Sequence, residues 1–549
     1  MLRSQHAQAD QVLSATPRQR VIAFLLASAT ALLTAAPSFY EALWPLAWVA
    51  LVPLFVALRA ASLRQALLLG WWAETLMYWV GFYWLIGTMV RFGFIAVPLS
   101  VCFFAIIGLG NGIRLGLFAW WLRWLERSPY PWWVRLLLPA CTYVAFDYLY
   151  PRVFPWYLGF LQLSGLPFIQ IADVTGVHGV TFVLVVCNTL VTAFVPRPGQ
   201  LERAVRRMRG LRCAGILLLL KEHWWPIVRL LMMGLGCAGI LLLQREYGLW
   251  RMRQLTAVMQ QAPPLKVALI QPDIGMYEKQ SGIDREAQLD LQFGLSATTL
   301  EQHPDLIIWP ESMYPFGVPE HMQQLPWPPV PAPHHVHWLI GALTYAGKGS
   351  ARHVFNSALL LDQDGRILGR YDKQHLLAFG EYIPLQHYLP FLRNISPTIG
   401  NLTPGTGGIV TLPNGVGLGP LICYEDIVPD LARQAVRQGA QVLVNLTNDV
   451  WFGATRAPYQ HRALAAFRAV ENRVYLVRVT NTGLTSIIDA LGREPATLPI
   501  FQADTLVHTI QPLHLASLYT RFGDWFAQLC SAVALLLPLG SRLRRRLRA

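Results

Sequence analysis

Charged residues are scarce in this chain. They make up only 14% of its 549 residues, whereas ordinary soluble domains carry roughly 25%. The shortage is uneven, because the acidic side chains within residues 21–195 are only Glu41, Glu74, Glu126, Asp147 and Asp173. After residue 264, acidic and basic residues mix as they do in soluble domains. The composition therefore excludes a wholly soluble protein and predicts a membrane part followed by a water-soluble part.

Long apolar runs occupy the charge-poor part. A helix needs about 20 apolar residues to cross a bilayer. The runs that approach this length are residues 21–39, 43–58, 66–89, 94–121, 133–150, 169–195, 227–243 and 525–539. The first run ends in small residues, as a cleavable signal peptide does, but the runs that follow favour an uncleaved anchor. The sequence thus predicts a polytopic α-helical membrane protein with about eight transmembrane helices.

The basic residues lie beside these runs. The net charge is +14, and arginines cluster at residues 197–212 and in the tail at residues 542–548. Arginines that flank apolar runs favour the cytoplasmic side and contact anionic lipid. All the clusters fall on one side of an eight-helix topology, so we expect both termini in the cytoplasm and the region between helices seven and eight outside. The position of the charge also argues against a nucleic-acid partner.

The region between the last two runs alternates strand-like and helix-like segments. Strands are expected at residues 265–274, 305–310, 336–344, 355–362, 415–422, 441–447, 474–479 and 486–490, and helices at 284–303, 429–438 and 458–472. Apolar strands with helices between them indicate sheets that are covered by helices. We therefore expect three parts: residues 1–245 with seven helices and the Arg-rich loop, an inserted α/β domain at 262–513, and the last helix with its basic tail at 522–549.

Cysteine is rare in the polar region. The chain has seven cysteines. Six lie in or beside the long apolar runs, and Cys423 is the only one in the polar region. It follows a buried strand and precedes a helical pattern that begins near Pro429. Backbone N–H groups and a helix terminus at such a bend favour a thiolate, so Cys423 is a candidate nucleophile. The alternative is a buried structural cysteine.

Two further ionisable residues stand where a strand ends. Glu311 follows the strand expected at residues 305–310, and Lys373 follows a hairpin strand. Acyl transfer needs a nucleophile, a proton acceptor and a group that holds the tetrahedral oxyanion, and Cys, Glu and Lys supply these three. Taken singly, Glu311 is also compatible with a turn cap and Lys373 with a solvated hairpin end.

The three segments together resemble a known family. Trp309-Pro310-Glu311, then Tyr371-Asp372-Lys373 with Phe379-Gly380-Glu381, then Ile422-Cys423-Tyr424-Glu425 are similar, in this order, to the Glu-Lys-Cys triad of the nitrilase superfamily. Their place between the last two of eight membrane helices resembles the apolipoprotein N-acyltransferase family. The segment Asn448-Asp449-Val450-Trp451-Phe452-Gly453 and the following Tyr459-Gln460-His461 also match that family. The resemblance covers nearly the whole chain.

The resemblance implies an α/β nitrilase-like αββα sandwich that carries a ping-pong acyl transfer. Glu311 would take the proton of Cys423, and the thiolate would attack the sn-1 ester of a phospholipid. Lys373 and the backbone N–H of Tyr424 would hold the oxyanion. The resulting thioester would then acylate the α-amino group of the S-diacylglyceryl cysteine of an apolipoprotein.

Supporting roles are expected for five residues. Glu381 would position Lys373 or share its charge, and Glu425 would act in the same way behind Cys423. Tyr424 would supply its backbone N–H. Trp451 would pack or contact an acyl chain, and Asn448 is expected to form hydrogen bonds of a mainly structural kind. Asn356 is a further candidate of the same kind as Asn448.

The family resemblance implies no cofactor and no metal. His334, His335 and His337 flank a Pro-rich loop without a second ligand cluster, which argues against a metal centre. The implied partners are a phospholipid acyl donor, a diacylglyceryl-modified apolipoprotein and the lipid bilayer. We expect a monomer in a bacterial inner membrane, with the α/β domain on the periplasmic side.

Two other classes of function remain open. A membrane-anchored nitrilase-type amidohydrolase acting on a small amide or nitrile would use the same triad, since both reactions pass through an acyl-thioenzyme. A single anchor would suffice for such an enzyme, whereas a lipid substrate requires a site at bilayer height. A transporter or receptor would show paired ionisable residues along one face of several helices, and the sequence has no such pattern.

Overall fold

A computed structural model describes residues 16–91, 93–126, 130–152, 154–195, 214–275, 285–328, 335–349, 352–378, 380–383, 388 and 402–546. The Arg-rich loop at 197–212 therefore lies outside the described residues, as does His334. The described residues form a helical part followed by a two-sheet part. The last helix packs back against the helical part.

The helical part precedes the sheets. Its α-helices are α1 (Pro17–Phe39), α2 (Val52–Leu58), α3 (Leu63–Gly81), α4 (Trp84–Arg91), α5 (Val97–Leu125), α6 (Trp132–Leu149), α7 (Leu166–Ile169), α8 (Ala172–Thr175), α9 (Val177–Phe194) and α10 (Ala214–Gln261). Within the described residues, four segments are long and apolar enough to cross a membrane: Pro17–Phe39, Glu41–Leu58, Val97–Leu125 and Val177–Phe194.

Several predicted runs have different boundaries in the structure. The run at 66–89 is split into α3 and α4, because the chain leaves the helix at Phe82 and Tyr83. The run at 169–195 is helical without a break only from Val177, since Gly176 has a φ of +65° and interrupts it. The run at 227–243 is the middle of the 48-residue helix α10. Hydropathy alone does not register these breaks, because apolar residues continue through them.

Helices α3 and α5 pack closely through glycines. A Cβ on Gly112 would lie 2.1 Å from Thr75 Oγ1, and one on Gly70 would lie 2.3 Å from the carbonyl oxygen of Leu115. Small residues at helix contacts allow two backbones to approach, which is the usual way that helices associate in an apolar environment.

A buried arginine links three of these helices. Arg114 on α5 lies 2.7 Å from Glu74 on α3 and 2.7 Å from Asp147 on α6, and its side chain is 2% exposed. Arg114 also donates to Tyr143. Both acids therefore face the interior of the helical bundle.

The second part is a four-layer α-β-β-α sandwich. One sheet has the order β13-β1-β2-β4-β5-β6, with β3 paired to β4, and the other has the order β12-β11-β10-β9-β8-β7. The strands are β1 (Leu265–Gln271), β2 (Leu306–Ile308), β3 (Tyr314–Pro319), β4 (His337–Ala346), β5 (His353–Leu361), β6 (Ile367–Asp372), β7 (Val410–Thr411), β8 (Gly417–Ile422), β9 (Val442–Thr447), β10 (Tyr475–Thr480), β11 (Ser486–Ile488), β12 (Ala496–Thr497) and β13 (Asp504–Ile510).

Helices cover the outer face of each sheet. Helix α11 (Arg285–Leu300) packs on the first sheet, and α12 (Pro429–Arg437) and α13 (Ala457–Asn472) pack on the second. Two short helices matter for the site: the Cys423 turn (Cys423–Ile427) after β8 and the Trp451 turn (Asp449–Phe452) after β9. The chain ends with α14 (Leu518–Phe522) and α15 (Trp525–Arg546), and α15 packs against α6.

Strands stand at all eight predicted places, and β6 is the hairpin strand expected before Lys373, but sequence reasoning missed β3, β7, β12 and β13. Strand β13 pairs with β1 along seven residues, from Asp504 to Ile510. It is an edge strand whose side chains are mostly half-exposed, so it lacks the apolar run that marked the central strands.

Replacing Arg114 tests the buried ion cluster. In Arg114→Gln, Glu74 stays buried without its cation and Asp147 keeps only its ion pair with Arg152, which costs about 3–5 kcal/mol of stability. We expect the thermal midpoint of the purified protein in detergent to fall by several degrees. Arg64→Gln is the control, because Arg64 lies exposed on α3. An equal midpoint for Arg114→Gln and Arg64→Gln would contradict a stabilising role for this cluster.

Candidate active site

Cys423 lies at a sharp bend where a central strand ends. Strand β8 is buried throughout, and the next residue, Cys423, has a φ of +53°. A non-glycine residue in this left-handed region costs of order 1–3 kcal/mol and is found mainly at functional sites. Asn445 on β9 fixes the bend, because its Nδ2 donates to the carbonyl oxygens of Leu421 (3.0 Å) and Cys423 (2.9 Å). The predicted change from strand to helix at this residue is thus present.

Glu311 and Lys373 come from the other sheet. Glu311 follows β2, and Gly341 on β4 makes room for it, since a Cβ there would lie 2.7 Å from the Cα of Glu311. Lys373 follows β6 directly. Its Nζ lies 2.8 Å from Glu381 Oε2 and 3.7 Å from Glu311 Oε1, and its side chain is 1% exposed. Glu311 and Lys373, which are far apart in the chain, thus lie together, and both are close enough to Cys423 to shift the pKa of its thiol.

Asn356 on β5 connects the two carboxylates. Its Nδ2 donates to Glu311 Oε1 at 2.8 Å and to Glu381 Oε1 at 3.2 Å, and its Oδ1 accepts from Ser312 Oγ at 3.3 Å. An amide between two carboxylates orients both and reduces their repulsion. The sequence indicates Asn356 only as a hydrogen-bonding residue of a mainly structural kind, because an Asn inside an apolar strand carries no motif. Its contacts with Glu311 and Glu381 place it in the site.

The charges around the thiol act in opposite directions. Burial raises the pKa of the Cys423 thiol well above its ordinary value, Glu311 raises it further, and Lys373 lowers it. The expectation that the bend favours a resting thiolate is therefore wrong. The reason is that loss of water and a nearby carboxylate together outweigh the ammonium.

Lys373 behaves differently. Burial acts to lower the pKa of Lys373, but Cys423 (when it is a thiolate) and the carboxylates of Glu311 and Glu381 raise it more, so the pKa is raised and the side chain remains an ammonium. A group that stays charged cannot shuttle protons at neutral pH. Its available role is electrostatic, as a fixed positive charge beside the sulfur.

Glu425 joins the Lys373 segment (residues 371–375) to the Cys423 turn. Its carboxylate accepts from the backbone N–H groups of Ile422 (2.8 Å), Gln374 (2.7 Å) and His375 (2.9 Å) and from Tyr371 Oη (2.8 Å). Glu425 is fully buried. This carboxylate holds the two segments in register, so its position behind Cys423 agrees with the predicted one.

The remaining predicted residues lie around the same bend. The ring of Tyr424 stacks on His375 at 5.5 Å and meets Phe154 of the helical part edge-on at 6.1 Å. Asn448 caps the Trp451 turn by accepting from the backbone N–H of Val450 at 3.3 Å. Trp451 is half-buried on that turn.

The helical part borders the site directly. The ring of Trp84 on α4 meets Phe452 edge-on at 5.0 Å, and Arg91 Nη2 donates to the carbonyl oxygen of Phe452 at 2.9 Å. Gln460 on α13 donates to the carbonyl oxygen of Gly81 and accepts from Trp84 Nε1, both at 2.9 Å. The interruption between α3 and α4 is therefore a docking point for the sandwich.

A metal site has no support among the described residues. No group of three or more His, Cys, Asp or Glu side chains in that part of the chain is arranged to hold a metal ion. His335 Nδ1 lies 3.0 Å from Gln363 Oε1, and His337 stands on β4.

Comparisons with known proteins concern both parts of the chain. A family model described as carbon-nitrogen hydrolase matches residues 266–519, and one described as apolipoprotein N-acyltransferase N-terminal domain matches residues 28–190. An apolipoprotein N-acyltransferase of Geobacter metallireducens is 33% identical over 500 residues, which cover 89% of each chain. Proteins with the same name from Pseudomonas putida (29% identical, 93% of this chain and 94% of that one) and Pseudomonas paraeruginosa (30%, 95% and 96%) are also similar.

Glu425→Gln tests the link between the Lys373 segment and the Cys423 turn. The amide has one accepting oxygen, so its NH2 would face backbone N–H groups that now donate to the carboxylate. We expect a loss of about 2–4 kcal/mol in stability, because buried hydrogen-bond donors become unpaired. The measurement is the thermal midpoint together with the rate of proteolysis near residue 375. Glu320→Gln, at an exposed position, is the control, and identical behaviour of the two variants would refute the link.

Proposed function

Because the chain belongs to the apolipoprotein N-acyltransferase family, we propose that Cys423 carries the acyl group which this family transfers to the amino terminus of lipoproteins. The observation that supports this most is the meeting of Cys423, Glu311 and Lys373 at strand ends, next to helices of the apolar part. The family relatives do not favour the alternative amidohydrolase that would act on a small amide or nitrile.

The first half-reaction forms a thioester. Glu311 accepts the proton of Cys423 as the sulfur attacks the carbonyl carbon of the sn-1 ester of a phospholipid. A base is required at this step, since the raised pKa of the thiol leaves little resting thiolate. The tetrahedral oxyanion is held by the Lys373 ammonium and the backbone N–H of Tyr424. The C–O bond then breaks, Glu311 returns the proton to the leaving oxygen, and lysophospholipid departs.

The second half-reaction consumes the thioester. The neutral α-amino group of the S-diacylglyceryl cysteine of an apolipoprotein attacks the thioester carbonyl carbon, and the same two groups hold the oxyanion. Glu311 takes a proton from the attacking nitrogen, the C–S bond breaks, and Glu311 delivers that proton to the sulfur, which restores the thiol and the carboxylate. A thioester suits this step because sulfur leaves readily and amines attack it well.

Asn356 and Glu381 serve the triad without meeting substrate. Asn356 keeps Glu311 aimed, and Glu381 balances Lys373, so that the ammonium faces the sulfur in one orientation. Trp451 and Tyr424 line the side nearest the helical part, where an acyl chain would arrive.

The proposed setting is a bilayer. Eight helices would span a bacterial inner membrane, with both termini in the cytoplasm and the sandwich on the periplasmic side. Four apolar helices and the arginine clusters support this arrangement. A site bordered by α4 and the Trp451 turn would lie near bilayer height, where a phospholipid donor and a lipid-modified acceptor can both reach it. We expect the protein to act as a monomer and to need no cofactor.

Acylation of Cys423 by lipid alone tests the proposal. The purified protein, incubated with phospholipid vesicles, should gain one fatty acyl mass on the peptide that contains Cys423. Hydroxylamine should remove it, and Cys423→Ala should lack it. Cys102→Ala is the control, because Cys102 is an exposed cysteine of the helical part. An unmodified Cys423 peptide, or full transfer activity in Cys423→Ala, would end the proposal.

Glu311→Gln tests whether Glu311 acts as the base in a protein that is still folded. The amide keeps the shape of Glu311 but cannot accept the thiol proton, so thioester formation should slow by about 10²–10⁴-fold. Acyl mass on Cys423 is followed over time, and an unchanged thermal midpoint shows that the protein is folded. Glu320→Gln should acylate at the wild-type rate. Normal acylation in Glu311→Gln would remove Glu311 from the mechanism.

A further inference from the structure

Four buried ionisable side chains lie between the Cys423 turn and the Trp451 turn. His461 on α13 places Nε2 2.7 Å from Asp426 Oδ1 and Nδ1 3.1 Å from Asp449 Oδ1. Arg478 on β10 donates from Nε to Asp426 Oδ2 at 3.2 Å and from Nη2 to Asp449 Oδ2 at 3.3 Å. Asp426 belongs to the Cys423 turn and Asp449 to the Trp451 turn, so His461 and Arg478 connect the two turns.

The charges of this group balance only if the imidazole is protonated. Asp426, Asp449 and Arg478 are each at most 1% exposed, and a buried charge without a partner is costly. Arg478 compensates one carboxylate, and His461 is the remaining cation. A neutral ring could accept from Arg478 Nη2, which lies 2.8 Å from Nδ1, but one carboxylate would then lack a counter-charge. Burial acts to lower the pKa of His461, and Asp426 and Asp449 raise it more, to about 9.

This group is close enough to affect the nucleophile. Asp426 is three residues from Cys423 on the same short helix, and the negative charge of Asp449 raises the pKa of the Cys423 thiol. The residue before His461 is Gln460, which contacts Gly81 and Trp84 of the helical part. Two consecutive residues of α13 thus have different contacts: His461 contacts the Cys423 turn, and Gln460 contacts the helical part.

We propose that His461 is a positioning residue which, as an imidazolium, clamps the Cys423 turn to the Trp451 turn and offsets the negative charge of Asp449 at the thiol. This inference rests on the proposed role of Cys423 as the nucleophile. It assigns a function in the reaction to a histidine that touches neither substrate nor the reacting sulfur.

The test is the rate at which a small neutral maleimide alkylates Cys423, measured by peptide mass from pH 7 to 10. His461→Gln leaves two carboxylates with one cation, so the thiolate becomes rarer and alkylation at pH 8 should slow about ten-fold. Asp449→Asn alone should speed alkylation. The double variant restores charge balance and should recover most of the wild-type rate. His508→Gln, a half-exposed histidine on β13, is the control.

These outcomes separate charge from packing. A purely structural role predicts that the double variant is slower than either single variant, which would overturn the proposal, as would an unchanged rate in His461→Gln. If His461→Gln fails to fold, Asp449→Asn still decides, because a rate at or below that of the wild type contradicts the proposal. Alkylation needs no lipid, so a failure of Cys423 to form a thioester would refute the proposed function and leave this test intact.

Stability as a function of pH gives a second readout. The pKa of His461 is higher in the folded protein than the usual value of about 6.5 in an unfolded chain. Its protonation therefore favours the folded state, fully below about pH 6.5, and this contribution disappears as the pH rises through about 9. The thermal midpoint of the wild type should approach that of His461→Gln between these values. A constant difference would mean that the ring is neutral.

Discussion

A buried ammonium between two carboxylates is the interaction on which this site depends. Lys373 is almost fully enclosed, and a lone cation there would lose its hydration without compensation. Glu311 and Glu381 supply that compensation, and Asn356 keeps the two carboxylates apart. The proposed chemistry uses the same arrangement. An ammonium that keeps its proton would provide a fixed positive charge where the oxyanion forms, and Glu311 would act as the base.

The candidate site lies at the boundary between the helical part and the αββα sandwich. The interruption between α3 and α4 brings Trp84 and Arg91 against the Trp451 turn. This contact places apolar helices beside the strand ends that carry Cys423, Glu311 and Lys373. Under the proposed function, such a position would let a lipid ester and a lipid-bearing amine reach the same sulfur in turn.

Sequence reasoning succeeded where a pattern is local. Central strands read as apolar runs, so β2 and β8 and the residues at their ends were identified from a few positions each. It failed where a property depends on neighbours from elsewhere in the chain. The resting state of Cys423 was predicted with the wrong sign, because the motif shows the helix terminus but not the burial or the approach of Glu311. Edge strand β13 was missed, and Asn356 was expected to have a mainly structural role. Both are defined by contacts with other parts of the chain, by strand pairing for β13 and by two carboxylates for Asn356.

The sequence by itself determined the order of the parts and the family, and it indicated Glu311, Lys373 and Cys423 as candidate site residues. These follow from hydropathy and from short motifs, which are properties of neighbouring residues. Only the tertiary structure decided how the charges are paired: that Glu425 ties the Lys373 segment to the Cys423 turn, and that His461 lies between two carboxylates. Such pairings join residues from different strands and helices, and an electrostatic effect depends on distance and burial, which the order of residues does not specify.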